Sequence, residues 1–78
     1  MQTKDITQQL CDASANGKVD TMKMLLQGGA NVDAKNKLGK TPLHYAAYHK
    51  KVEAMKLLLQ RGANVDAMDD EGRTPLHI

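Results

Sequence analysis

The hexapeptide Gly29-Ala30-Asn31-Val32-Asp33-Ala34 returns unchanged as Gly62-Ala63-Asn64-Val65-Asp66-Ala67, thirty-three residues further on. The copy extends in both directions. Met22-Lys23-Met24-Leu25-Leu26-Gln27 reappears as Met55-Lys56-Leu57-Leu58-Leu59-Gln60, and Gly39-Lys40-Thr41-Pro42-Leu43-His44 as Gly72-Arg73-Thr74-Pro75-Leu76-His77. A period that preserves turn residues and apolar residues together means one supersecondary unit, copied and stacked on itself. The question of function moves with it, from an enclosed pocket to an exposed surface.

Inside each unit the apolar spacing is helical. Ile6, Leu10, Ala13 and Ser14 form one stripe, with Thr3 as the expected N-cap, and Asn16-Gly17 supplies a stop. Val19, Met22, Leu25 and Leu26 form a second stripe, with Asp20 where the helix dipole favours an acid, and Gly28-Gly29 ends it. Two short helices and a tight turn make a helical hairpin. A polar, turn-forming stretch from Gly29 to Lys40 follows, punctuated by Asn36 and Gly39.

Thr41-Pro42 then opens the next hairpin, with Thr as N-cap and Pro where the missing amide is an orphan anyway. Leu43, Ala46 and Ala47 are expected to face inward, and Val52, Met55, Leu58 and Leu59 to repeat the second stripe. A second polar connection runs from Arg61 to Arg73, and Thr74-Pro75 starts a third unit. Helices this short are marginal alone, since isolated helices below about 12–15 residues barely hold in water. Stability must come from layer on layer. Ala46 and Ala47 permit that close approach; a Leu at either place would overpack by about 1–3 kcal/mol.

Composition narrows the rest. The 78 residues suffice for one small domain, and 41% apolar against 26% charged residues is a globular balance. Phe and Trp are absent, so the core must be built from Leu, Val, Met and Ala. A net charge of +2 is too small to imply nucleic acid. Cys11 is alone, which excludes a disulfide framework and points to a reducing cytoplasmic or nuclear setting. No apolar run is long enough for a span, so no membrane role is expected.

The motifs that resemble chemistry dissolve on inspection. Gly39-Lys40-Thr41 looks like the end of a phosphate-binding loop, but Ala34 stands where that motif needs its first glycine. His44 and His77 lie inside the repeated Thr-Pro-Leu-His segment, which suits an imidazole bonded to the Thr hydroxyl and to backbone near the next connection. Neither has a Cys or carboxylate at ligand spacing. Asp69-Asp70-Glu71 lacks the alternating oxygens of a calcium loop and reads as a solvated turn. Cys11 reads as small and semi-buried, and Met22, Met24 and Met55 as core packing. No Ser, Cys or Thr joins a His and an acid in a catalytic pattern, and no cofactor or metal is expected.

Gly39-x-Thr41-Pro42-Leu43-His44-x-Ala46-Ala47, Leu58-Leu59-x-x-Gly62-Ala63-Asn64-Val65 and the restart at Gly72 together resemble the ankyrin-repeat family, from about Leu10 onward. The resemblance implies an all-α solenoid of stacked helix-turn-helix units, each with an outward β-hairpin-like finger. One domain, 1–78, then holds repeat 1 at about 3–33, repeat 2 at about 34–66 and a partial repeat 3 at about 67–78. Repeat 1 has Gln8-Gln9-Leu10-Cys11 in place of the Thr-Pro-Leu-His start and is implied to be an N-terminal cap. Two departures stand out. Lys50 occupies the place after the first helix where the family has Gly, at a cost of about 1 kcal/mol if that residue needs positive φ. The third unit stops within its first turn, leaving Met55, Leu58, Leu59, Leu76 and Ile78 expected to lack cover and able to self-associate.

The resemblance also implies a function: a non-catalytic scaffold, adaptor or inhibitor that binds a protein partner through finger tips and the first-helix face. Carried over position by position, the candidate contact residues are Lys35, Lys37, Leu38, Lys40, Tyr48, His49, Met68, Asp70, Glu71 and Arg73. Tyr45 stands apart, because its place in the motif usually holds a packed apolar residue. The lysines of the first finger and the acids of the second suggest either a partner of mixed charge or antiparallel pairing of two copies. Two alternatives stay open: an ankyrin fragment of a larger enzyme or regulator, and a consensus-like or engineered unit that forms a homodimer through its open C-terminal end.

Overall fold

In the computed structural model, which describes residues 5–75, four helices follow one another: α1 (Ile6–Ala15), α2 (Val19–Gln27), α3 (Pro42–Tyr48) and α4 (Val52–Gln60). The first starts where its sequence supplies a cap. Asp5 Oδ1 accepts the Gln8 N–H at 2.8 Å, so Asp5 is the N-cap, and Thr3 lies outside the described residues. Gln8-Gln9-Leu10-Cys11, aligned with the start of α3, is therefore already inside a helix that begins earlier. At α3, Thr41 and His44 form a reciprocal capping box, with Pro42 in the first turn.

All four helices stop in the same way. The second residue beyond each helix donates its N–H to a carbonyl in the last turn, and does so at positive φ: Gly17 (68°), Gly29 (105°), Lys50 (57°) and Gly62 (86°). At α3, Lys50 N–H bonds Ala47 O at 3.1 Å and Lys51 N–H bonds Ala46 O at 2.9 Å, the paired closure of a Schellman motif. Lys50 thus holds a left-handed conformation where its three counterparts are glycine.

The helices stack as two layers of hairpins, α1 against α3 and α2 against α4. Leu10, Met22, Leu43 and Leu58 are fully enclosed, with Ala13, Ala46, Ala54 and Leu57 between them. Each such Leu contributes about 1.5–3 kcal/mol over an exposed one. Small residues line the contact of α1 with α3, and the buried Ser14 hydroxyl bonds back to Leu10 O at 2.7 Å. Cys11 is fully rather than partly buried, and burial, then Asp12 and Asp5, push its thiol up to about 12.

The second stripe needs correction. In α4 the buried residues are Ala54, Leu57 and Leu58, whereas Val52 is 56% exposed and Leu59 also faces solvent. The equivalents Val19 and Leu26 are half-buried, because the second hairpin covers the first. Met24 is 72% exposed, not core, while its equivalent Leu57 is buried against the first hairpin. Leu58 is likewise fully buried and cannot belong to an open face; Met55 is half-buried, Leu59 is exposed, and Leu76, His77 and Ile78 lie outside the described residues.

The fingers are tight reversals, and no strand occurs among the described residues. Asn36 N–H bonds Lys40 O at 3.0 Å in the first, and Asp69 N–H bonds Arg73 O at 2.9 Å in the second.

Candidate functional site

Each finger is organised by one side chain. Asn36 Oδ1 accepts the N–H groups of Leu38 (2.9 Å) and Lys40 (3.1 Å), and Asp69 Oδ1 accepts those of Glu71 and Arg73 (both 2.9 Å). An Asx residue opening a reversal in this way replaces backbone pairing with its own carboxyl or amide oxygen. Asn36 donates its Nδ2–H to Tyr45 Oη at 2.7 Å, tying the first finger to α3. Asp69 instead uses Oδ2 to accept Lys40 Nζ at 3.0 Å and Arg73 Nε at 3.3 Å. The Arg73 N–H, with Lys40 and the Glu71 N–H, holds the Asp69 carboxyl well below the usual carboxylate range, against the opposing effect of burial.

His44 fixes the second finger to α3. Its Nδ1 accepts the Thr41 N–H at 3.1 Å and meets Thr41 Oγ1 at 2.9 Å, while Nε2 lies 2.8 Å from Arg73 O. A carbonyl can only accept, so the ring proton sits on Nε2 and the neutral tautomer is assigned. The fingers also hold each other: Asp70 N–H bonds Leu38 O at 3.2 Å, Lys35 Nζ reaches Met68 O at 3.0 Å, and Asn64 N–H bonds Asp33 Oδ1 at 2.8 Å. Gly39 sits inside this contact. A Cβ there would lie 2.9 Å from Asp70 N.

Between α3 and the second finger lies a groove of about 490 Å³, lined by Lys40, His44, Tyr45, Tyr48, His49, Asp69 and Arg73. Tyr48 is 63% exposed and meets the His49 ring edge-on, with centroids 5.1 Å apart. Of the residues expected to make contact, the groove brings together Lys40, Tyr48, His49 and Arg73. Lys35, Lys37, Leu38, Met68, Asp70 and Glu71 lie on the fingers outside its lining. Leu38 and Met68 are exposed, whereas Lys40 is half-buried on Asp69, and Arg73 pairs with both Asp69 and Glu71.

Three expectations change. Asp69 is buried and structural, not part of a solvated turn, because four donors converge on its carboxylate. The charge contrast between fingers is partly spent inside the molecule, in the Lys40–Asp69 pair. Tyr45, set apart on sequence grounds, is a groove residue. A signal for Asp69 existed: Asn36-x-x-Gly39-Lys40 and Asp69-x-x-Gly72-Arg73 share one pattern at the repeat period.

Residues 10–78 match the family model for ankyrin repeats in three copies. The chain is similar to an ankyrin repeat and LEM domain-containing protein 1 homolog of Caenorhabditis elegans, 44% identical over 59% of the chain. It is also similar to the apicidin F cluster transcription factor apf2 of Gibberella fujikuroi, 47% identical over 44% of the chain. The matched stretches span 6% and 9% of those two proteins, so the likeness concerns the repeats alone.

Proposed function

The chain belongs to the ankyrin-repeat family, and on that premise we propose that it is a non-catalytic interaction module whose protein partner lies across the finger tips and the first-helix face. The observation that carries this reading is a division of labour in the site. Thr41, His44, Asn36 and Asp69 are engaged in holding α3 and the fingers together. Tyr48, Leu38 and Met68 are large, exposed and not required by that framework. Single exposed hydrophobes are ordinary, but Tyr48 lines the groove itself, and a rigid aromatic in such a place is the kind of residue that anchors interfaces. Lys35, Lys37, Lys40, His49, Asp70, Glu71 and Arg73 supply the polar surround of this proposed contact surface.

The reading is tested by affinity capture with the wild-type chain and with the double variant Tyr48→Ala, Met68→Ala, both first checked for equal thermal stability. Partners retained by the wild type and lost from the variant support it. Identical captured sets overturn it.

A further inference from the structure

We propose that the groove between α3 and the second finger selects an acidic peptide segment, an Asp or Glu carboxylate seated against Arg73, Lys40 and the Tyr45 hydroxyl, with an adjacent apolar residue on Tyr48. The inference rests on the interaction reading above and gives the partner its chemistry.

The argument is an inventory of donors and acceptors. Both Asp69 oxygens are saturated, Oδ1 by two backbone N–H groups and Oδ2 by Lys40 and Arg73. The Arg73 carbonyl accepts both the Asp69 N–H and the His44 Nε2–H, which accounts for its two lone pairs. The acceptors at the cationic end of the groove, Asp69 and the Arg73 carbonyl, are therefore spent, while donors remain. Tyr45 Oη accepts from Asn36, which leaves its own O–H proton to give. Lys40 uses one of three ammonium protons on Asp69, and the Arg73 contacts run through Nε and Nη2, leaving Nη1. Two cations stand against one buried carboxylate in the lining. A basic ligand would meet donor against donor there; a carboxylate meets complementary groups and the fork geometry of a guanidinium.

Glu71 refines the inference. Its carboxylate, on an exposed side chain outside the groove lining, already pairs with Arg73 Nη2. It competes for the same guanidinium that a partner's carboxylate would engage, and an exposed pair of this kind is readily exchanged. Removing it should strengthen binding, an effect that damage to the fold could not imitate.

The test is selection of random dodecapeptides, displayed without a free C-terminus, on the intact chain, followed by fluorescence anisotropy with the selected peptides made as C-terminal amides. Enriched sequences are expected to carry Asp or Glu beside an aliphatic or aromatic residue. Glu→Gln in the peptide should weaken binding roughly tenfold or more, and Arg73→Gln in the protein should do the same. Glu71→Gln should tighten it about threefold. Enriched peptides that are basic or uncharged, yet lose binding in Tyr48→Ala, overturn this inference and leave the interaction reading standing. No enrichment, or binding indifferent to both Tyr48→Ala and Arg73→Gln, overturns both.

Discussion

Replacing Lys50 by Gly removes a side chain from the only helix terminus among the described residues whose positive-φ position is not glycine. At φ 57° a Cβ is held in the left-handed region, which costs an L-residue roughly 1–2 kcal/mol. Glycine gives back part of this through its larger unfolded-state entropy, about 0.5–1 kcal/mol. The net gain for Lys50→Gly is then about 0.5–1 kcal/mol, or roughly 2–8 °C in Tm for a domain of this size. Lys50→Ala separates the backbone effect from loss of the charged side chain, because Ala keeps the Cβ. Gly17, one period earlier at φ 68°, provides the reverse experiment: Gly17→Ala should lose about 1 kcal/mol. Its new Cβ would meet Lys51 Cδ at 3.1 Å, but that flexible side chain can move aside, so the backbone term dominates. Urea unfolding followed by circular dichroism, with unchanged m-values, reads all three variants. Equal stability of Lys50→Gly and Lys50→Ala, or a neutral Gly17→Ala, would refute the reasoning.

Gly39 and Gly72 share φ values of 76° and 77°, yet only Gly39 has Asp70 N within reach of an added Cβ. Gly39→Ala should therefore destabilise by about 1–3 kcal/mol more than Gly72→Ala, and parallel melts showing equal losses would remove the finger-to-finger contact as the cause. Asp69 predicts an acid-sensitive fold. Its carboxyl sits below its ordinary value of 3.8 in the folded chain, so the stability it confers is complete above about pH 4–5 and drains away as pH falls from 3.8 toward the lowered value of the folded state. In Asp69→Asn the amide would turn donors toward Lys40 and Arg73. The stability gap to wild type should be widest near pH 7 and close toward pH 2; a constant gap across that range would show that the ionised carboxylate is not what holds the turn.

The candidate groove was only half visible before the fold was known. Thr41 and His44 could be read as a framework pair because their contact spans three residues, and Tyr48 as a contact residue because neither turn nor core called for it. Asp69 was misjudged since its cationic partner Lys40 lies 29 residues away in sequence. Tyr45 was set apart because its place in the motif usually holds a packed apolar residue. Its hydroxyl is held by Asn36 across a finger whose path no local spacing specifies.

What the amino-acid sequence determined alone is whatever depends on a residue and its next few neighbours: the repeat period, the Thr-Pro helix start, the turn punctuated by Asn36 and Gly39, and the demand for positive φ after each helix. Burial was decided only by the tertiary structure. Val19 and Val52 occupy the same place in the repeat and yet differ in exposure, as do Met24 and Leu57. The physical reason is that covering an apolar side chain takes a neighbouring layer, and which side of a hairpin has one depends on its place in the stack.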